Sequence, residues 1–430
     1  MKTISNPAPA KWEKLARRPE IRPDKLRKMV NDVFRDIAKQ GDRAVLKYSR
    51  KFDYPEQTSL SVEQSMIDKA ADNLSQQLKQ SIDLARQNIE KFHLSQREVP
   101  VVVETVPGVT CWRESRAIEK VGIYIPGGSA PLFSTVLMLA IPAKIACCSE
   151  IVLCTPPDKF GNIHPAILYT AQLTGVTKIF AIGGMQAIGA MTFGTESVPK
   201  TDKIFGPGNQ YVMAAKRYAQ LQGVAIDMPA GPSEVLVIAD ESCNPSFVAA
   251  DLLSQAEHGP DSQVMLVTDS KKTIKEILKE IDLQIALLPR QDIAAQALKN
   301  SRAILLNNLD ECLAFSNLYA PEHLILAIEN SAEWTKKVIN AGSVFLGRYS
   351  CESLGDYASG TNHTLPTSGF AKAYSGVSLD SFVKKITFQQ VTERGICEIG
   401  PAVETMAEAE QLLAHKNAVT LRLKETISKS

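Results

Sequence analysis

The sequence lacks both of the glycine signatures by which nucleotide-binding chains are usually read. No Gly-x-Gly-x-x-Gly occurs, because the nearest match, Gly206-Pro207-Gly208-Asn209, carries Tyr211 at the sixth position. No Gly-Lys pair occurs either, which excludes a P-loop. The eight cysteines include no pair with a two-residue gap, so neither a zinc knuckle nor a Cys-x-x-Cys redox motif is present. An excess of charge of one sign is missing as well. With 48 basic and 47 acidic residues the formal net charge is +1, and no broad field invites a phosphate backbone or an anionic membrane. The partner expected is a small molecule, with no nucleic acid and no membrane.

An unbroken apolar run is also lacking. Val121 to Ala143 carries no charge, but Gly122, Pro126, Gly127, Gly128, Pro131 and Pro142 interrupt it, so it reads as strand, loop and helix. The first residues reach Lys14, Arg17 and Arg18 without an apolar core, so no secretory signal is expected. Scattered cysteines then fit reduced thiols and a cytoplasmic location. Cys147 and Cys148, in the apolar run that begins at Ile145, read as packed core thiols.

What is present is length and alternation. A chain of 430 residues is too long for one core and divides into two or more domains. Short β-branched runs recur at 121–125, 151–154, 178–182, 203–205, 234–239, 264–268, 303–306 and 343–346. Segments with apolar residues at helical spacing, such as 209–221, 245–255 and 271–283, lie between them. That pattern predicts an α/β fold with largely parallel sheets. Ile67, Ala70, Leu74, Leu78, Ile82, Ala85, Ile89 and Phe92 predict one long amphipathic helix. From about Phe382 the chain reads as mainly helical, with Pro401 in the first turn of a helix that continues to Leu413.

Three glycine-rich turns follow predicted strands: Pro126-Gly127-Gly128-Ser129, Gly183-Gly184-Met185-Gln186 and Gly206-Pro207-Gly208-Asn209. They occupy the carboxyl edge at which open α/β sheets bind ligands, and glycine lets a ligand approach the backbone. Each alone also serves as a tight turn; three together point to a nucleotide. Gln255 and His258 share a helix face if that helix runs one turn further, where Asp356 from elsewhere completes a cation site; a plain helix end before Gly259-Pro260 is the alternative. Glu322-His323 sets a carboxylate beside an imidazole, a pairing that suits proton transfer near neutrality. Glu410 and His415, five apart, meet one pocket only if the helix ends between them or the pocket caps it.

As an ordered set, Tyr124–Leu132, Phe205–Asn209, Asp227–Glu234, Leu253–Gly259, Ala320–Leu324, Asp356–His363 and His415–Val419 closely resemble the histidinol dehydrogenase family over roughly Arg22 to Leu423. The resemblance implies oxidation of L-histidinol to L-histidine through L-histidinaldehyde with two NAD, the last stage of histidine biosynthesis. It implies one zinc per subunit held by Gln255, His258, Asp356 and His415, with the substrate's imidazole and amine completing the shell. His323 is then the general base and Glu322 the activator of water. Ser233, His363 and Glu410 join Gln255, His258, His323, Asp356 and His415 around the substrate, and Tyr124, Gln186 and Asn209 contact NAD. The fold it implies is two incomplete Rossmann-like domains, with small mainly helical terminal segments, in an intertwined homodimer. In that scheme 1–22 is an N-terminal arm, 23–120 with 234–381 the first domain, and 121–233 the second. Residues 382–430 form a small helical domain that completes the partner's site. A rival, an aldehyde dehydrogenase with a cysteine nucleophile, finds no cysteine with a neighbouring histidine in sequence.

Overall fold

Runs such as Glu234–Ala239 and Gln263–Thr268 are apolar at nearly every position, and every residue of both is buried in the computed structural model. Such strands need cover on both faces, the environment of a parallel sheet between helix layers. The structure describes residues 1–18, 23–127, 130–229 and 231–428. The end of the expected N-terminal arm (19–22), Gly128 and Ser129 of the first glycine-rich turn, Ala230 and the last two residues lie outside that set.

In chain order the strands are β1 Lys2–Ser5, β2 Val103–Val106, β3 Val109–Ala117, β4 Lys120–Tyr124, β5 Glu150–Thr155, β6 Lys178–Ala181, β7 Lys203–Phe205, β8 Ala225–Ile226, β9 Glu234–Ala239, β10 Gln263–Thr268, β11 Arg302–Leu305, β12 His323–Ala327, β13 Ser343–Leu346 and β14 Val383–Val391. One six-stranded sheet has the order β1-β11-β10-β9-β12-β13, and one five-stranded sheet the order β6-β5-β4-β7-β8. Both are parallel throughout. The expected α/β class with parallel sheets is therefore what forms, and all eight β-branched runs are strands.

Chain contacts group residues 1–95 with 119–382, and separately 96–118 with 383–430. Within the larger unit, β1 of the N-terminal arm pairs with β11 at the edge of the six-stranded sheet. The helices Pro23–Gln40 and Asp42–Phe52 pack on Gly184–Phe193, and Val30, Phe34 and Ile37 share a core with Tyr124, Ile188 and Val212. Helix Gln76–Leu94 packs on Phe133–Ile145 through Ile82, Ala85 and Ile89. The N-terminal helices therefore cover the five-stranded sheet. This differs from the sequence-based division, which grouped 23–120 with 234–381. A helix's apolar stripe reveals that it is buried but not which sheet covers it.

Two helical readings are also revised. The stripe from Ile67 to Phe92 is not continuous: Gln64–Asp68 and a 3₁₀ turn at Ala70–Asn73 precede Gln76–Leu94. Ser75 caps that last helix by accepting from Leu78 N at 3.2 Å, so a cap interrupts what periodicity joined. The C-terminal region is not wholly helical. β14 pairs antiparallel with β3 along its whole length, and β2 pairs with β3, giving the smaller unit a three-stranded sheet. Helices Glu393–Ala409, with Pro401 inside it rather than in its first turn, and Leu413–Ser428 complete that unit.

Candidate active site

Glu322 and His323 stand where a turn enters a strand. Helix Leu309–Tyr319 ends at Ala320, whose backbone is left-handed (φ 53°), and the chain turns through Pro321 into β12. His323 is the first residue of β12, paired in register with Val235 of β9 and Ser343 of β13. No side chain fits at Gly342, which immediately precedes β13 and packs against this turn, since a Cβ would meet the Glu322 carbonyl oxygen at 2.6 Å. His323 is thus held in the sheet and Glu322 immediately before it, 3% and 7% exposed. Glu322 accepts from Glu234 N at 2.8 Å, and its Oε2 lies 3.7 Å from His323 Nδ1. On the other side of the ring, His323 Nε2 is 3.5 Å from Asp356 Oδ1.

Gln255 ends helix Pro245–Ala256, which stops one residue later. His258 lies in the following turn rather than on the helix, its N–H bonded to Gln255 O at 3.3 Å. The shared helix face expected for this pair is absent, yet the turn keeps both at one place. Asp356 comes from helix Glu352–Tyr357. Its companion one turn earlier, Glu352, is 1% exposed and was not singled out from the sequence. Ligand atoms of His258, Glu352 and Asp356 all lie within 4.8 Å of one another. With the Gln255 amide turned so that no oxygen faces oxygen, its nitrogen donates to Glu352 Oε1 at 2.6 Å and its oxygen accepts from Glu234 N at 3.1 Å. Spacing offered the missing signal: positions i and i+4 of one helix share a face.

The electrostatics of this cluster are those of too many acids in too little water. Burial pushes Glu322 up to about 8, against the pull of His323. Burial disfavours the His323 imidazolium, but Glu352, Glu322 and Asp356 outweigh it and raise the ring to about 10. Burial alone would also raise Asp356, whereas the His323 ring 3.5 Å away holds it below its usual value. Glu352 is raised well above its usual value by burial. Three buried atoms, His323 Nε2, Glu352 Oε2 and Asp356 Oδ1, have no hydrogen-bond partner. A divalent cation is the species that such a set fits: imidazole and carboxylate donors converge, and its charge replaces the protons that the acids otherwise collect.

Against one side of the cluster lies a cavity of about 1310 Å³ whose wall includes Gly206, Asn209, Ser233, His258, Glu322 and His363, while Gln255, His323, Glu352 and Asp356 are not among its described wall residues. His363 Nε2 is 3.0 Å from Thr135 Oγ1 and its Nδ1 is 2.8 Å from Asp356 O, which orients the ring; burial lowers its proton affinity. Asn209 caps helix Gln210–Leu221, accepting from Tyr211 N and Val212 N. The other two residues expected at NAD are turned into the fold. Tyr124, 3% exposed, accepts from Gly184 N at 2.9 Å, while Gln186, 1% exposed, donates to Asp53 at 3.0 Å. Neither is among the described residues of the cavity wall. Glu410 and His415 belong to the smaller unit, both exposed. The helix Glu393–Ala409 ends at Glu410, and His415 lies in the next helix, so the break between them is present.

The wall is built from opposite strand ends. The five-stranded sheet contributes the turn after β7, at its carboxyl edge. The six-stranded sheet contributes Ser233, His258 and Glu322, which precede β9, β10 and β12 at its amino edge. The glycine-rich turns were expected at a carboxyl edge; the acid–base pair at the opposite kind of edge had no such rule behind it.

Comparison with known proteins decides between relatives of this architecture. The family model "Histidinol dehydrogenase" matches residues 16–423. The chain belongs to the histidinol dehydrogenase family. It is 61% identical to the histidinol dehydrogenase of Bacteroides thetaiotaomicron over 98% of this chain and 99% of the relative. It is 52% identical to that of Escherichia coli strain K12, covering 93% of this chain and 92% of the relative. A crystal structure of histidinol dehydrogenase from Elizabethkingia anophelis superposes with a TM-score of 0.97 at 60% identity, over 99% of this chain and 98% of that one.

Proposed function

We propose that this chain oxidises L-histidinol to L-histidine through L-histidinaldehyde, using two NAD and one zinc per subunit, in the cytoplasm as the last step of histidine biosynthesis. The observation that carries the reading is the convergence of His258, Glu352 and Asp356 beside the Glu322–His323 pair, with His258 and Glu322 on the wall of one cavity. When bound, zinc holds the substrate's imidazole and amine, and NAD takes a hydride in each oxidation.

The chain's own residues do the rest. Gln255, His258 and Asp356, with His415 from the partner subunit of a homodimer, are the ligands of the metal. Ser233, His363 and the Glu410 carboxylate, also supplied in trans, bind and orient the substrate. His323 Nε2, on the Asp356 side of its ring, takes the alcohol proton in the first oxidation. Glu322, braced by Glu234 N–H, takes a proton from the water that hydrates the aldehyde before the second. The turn at Asn209 receives NAD, with Tyr124 and Gln186 shaping the neighbouring turns. No helix among the described residues is long and apolar enough to cross a membrane. The test is a count of NADH formed per histidine with histidinol and NAD as the reactants. Two is expected; one or none removes the reading.

A further inference from the structure

The Gly206-Pro207-Gly208-Asn209 turn is held by a buried ion pair at the cavity wall that the proposed chemistry does not use. Lys216 Nζ lies 2.5 Å from Asp227 Oδ1, and each side chain is 1% exposed. Lys216 comes from helix Gln210–Leu221, and Asp227 directly follows β8. Both partners grip the same residue. Lys216 Nζ donates to Gly206 O at 2.8 Å, and Gly206 N donates to Asp227 Oδ2 at 2.8 Å. The remaining Asp227 oxygen also accepts from Met228 N at 2.7 Å.

Stability alone does not account for this arrangement. Taking two charges out of water costs about what their attraction returns, and a packed apolar pair closes such a space as well. What an apolar pair cannot do is bind the N–H and the C=O of one glycine at once. Gly206 is fixed from a third side too. Its φ of 128° excludes other residues, and a Cβ would fall 2.1 Å from Tyr124 O, so it rests directly against the end of β4. Downstream of this clamped residue, Gly208 and Asn209 form part of the cavity wall.

We propose that the Lys216–Asp227 pair is a positioning device for the dinucleotide. By locking Gly206 at both of its peptide groups it sets how far the Gly206–Asn209 turn stands into the cavity. This rests on the reading above that NAD lies at that turn. A turn displaced by about an ångström loses much of its value to a ligand that must be placed accurately.

The test uses the full-length zinc-loaded enzyme carrying Lys216→Met and Asp227→Asn together, which removes both charges without leaving one buried alone. The NAD dissociation constant by calorimetry and the KM for NAD are expected to rise about tenfold or more. Zinc content and the KM for histidinol are expected to stay within about twofold of the parent, a split that a general loss of structure does not give. NAD affinity within about twofold of the parent in the folded double variant overturns the proposal. If the double variant is insoluble, Lys216→Met with Asp227→Leu, which also leaves neither charge of the pair, is judged by the same readouts. Asn209→Ala separates the two levels of the argument. If it weakens NAD binding while the double variant does not, the clamp is wrong and the NAD site stands. If neither variant weakens it, NAD lies elsewhere and both ideas fall.

Discussion

At the residue scale, Glu352 shows what a buried carboxylate does without touching the reacting proton. It packs between the Gln255 amide and the Asp356 carboxylate, with one oxygen bonded and one without a partner. The Gln255 NH₂ needs an acceptor and Glu352 supplies one, while Glu234 N takes the amide oxygen, so Glu352 fixes how the amide proposed as a metal ligand is turned. Glu352→Gln is therefore expected to lower zinc affinity about 10–100-fold, read by chelator competition on the folded protein. Unchanged affinity would reduce Glu352 to a space-filling role. Residue chemistry was legible in the sequence where neighbours or family motifs announced it, as with Glu322 and His323. Glu352 was not, because its meaning depends on Gln255, which lies on another helix. Tyr124 and Gln186 mark another limit: a motif position gives the residue, but the partners its side chain takes within the fold, Gly184 N and Asp53, come only from the structure.

At the scale of elements, strands were easy and partners were hard. β-Branched runs identified eight parallel strands because both faces of each are buried, leaving apolar residues at nearly every position. β14 escaped because its residues alternate and are partly exposed, and its strand state comes from pairing with β3, far away in sequence. Helix Pro245–Ala256 carries a consequence of its own. Asp251, one turn before Gln255, is raised to about 7 by burial. An unfolded aspartate titrates near 3.9, so between about pH 4 and 7 the folded chain holds a proton that the unfolded chain has released. Stability from this group is full below about pH 4 and is lost as the pH rises through about 7. Asp251→Asn should abolish that loss, leaving the variant more stable than the parent at pH 8, by of order 2 kcal/mol, and nearly equal to it at pH 4. Urea midpoints at the two pH values measure it. Parallel behaviour of both proteins would assign the pH dependence to another group.

For the whole molecule, the proposed homodimer makes a prediction that no single chain can satisfy. If His415 serves the partner's metal, a subunit with His323→Asn and a subunit with His415→Asn are each inactive as homodimers, yet together they rebuild one working site. Refolding an equal mixture should restore about a quarter of parental activity, since half of the dimers are mixed and each has one competent site of two. No recovery, with mixed dimers verified by affinity tags, would place His415 in its own subunit's site or outside the site altogether. Whole-molecule features were the least legible from sequence. The N-terminal helices showed their apolar stripes without showing the sheet beneath, and residues 96–118 gave no hint that they pair with the C-terminal segment.

The cavity joins the outgoing ends of one sheet to the incoming ends of another. Its two walls are accordingly separate castings: the turn at Asn209 is rigid with respect to β7, and the Glu322–His323 pair is rigid with respect to β12. Damage to one wall leaves the other's internal geometry intact, so lesions in the two should multiply in rate rather than compound each other. On the proposed assignment of NAD to the Asn209 turn, such an assembly can retune its grip on the oxidant without disturbing its grip on the proton.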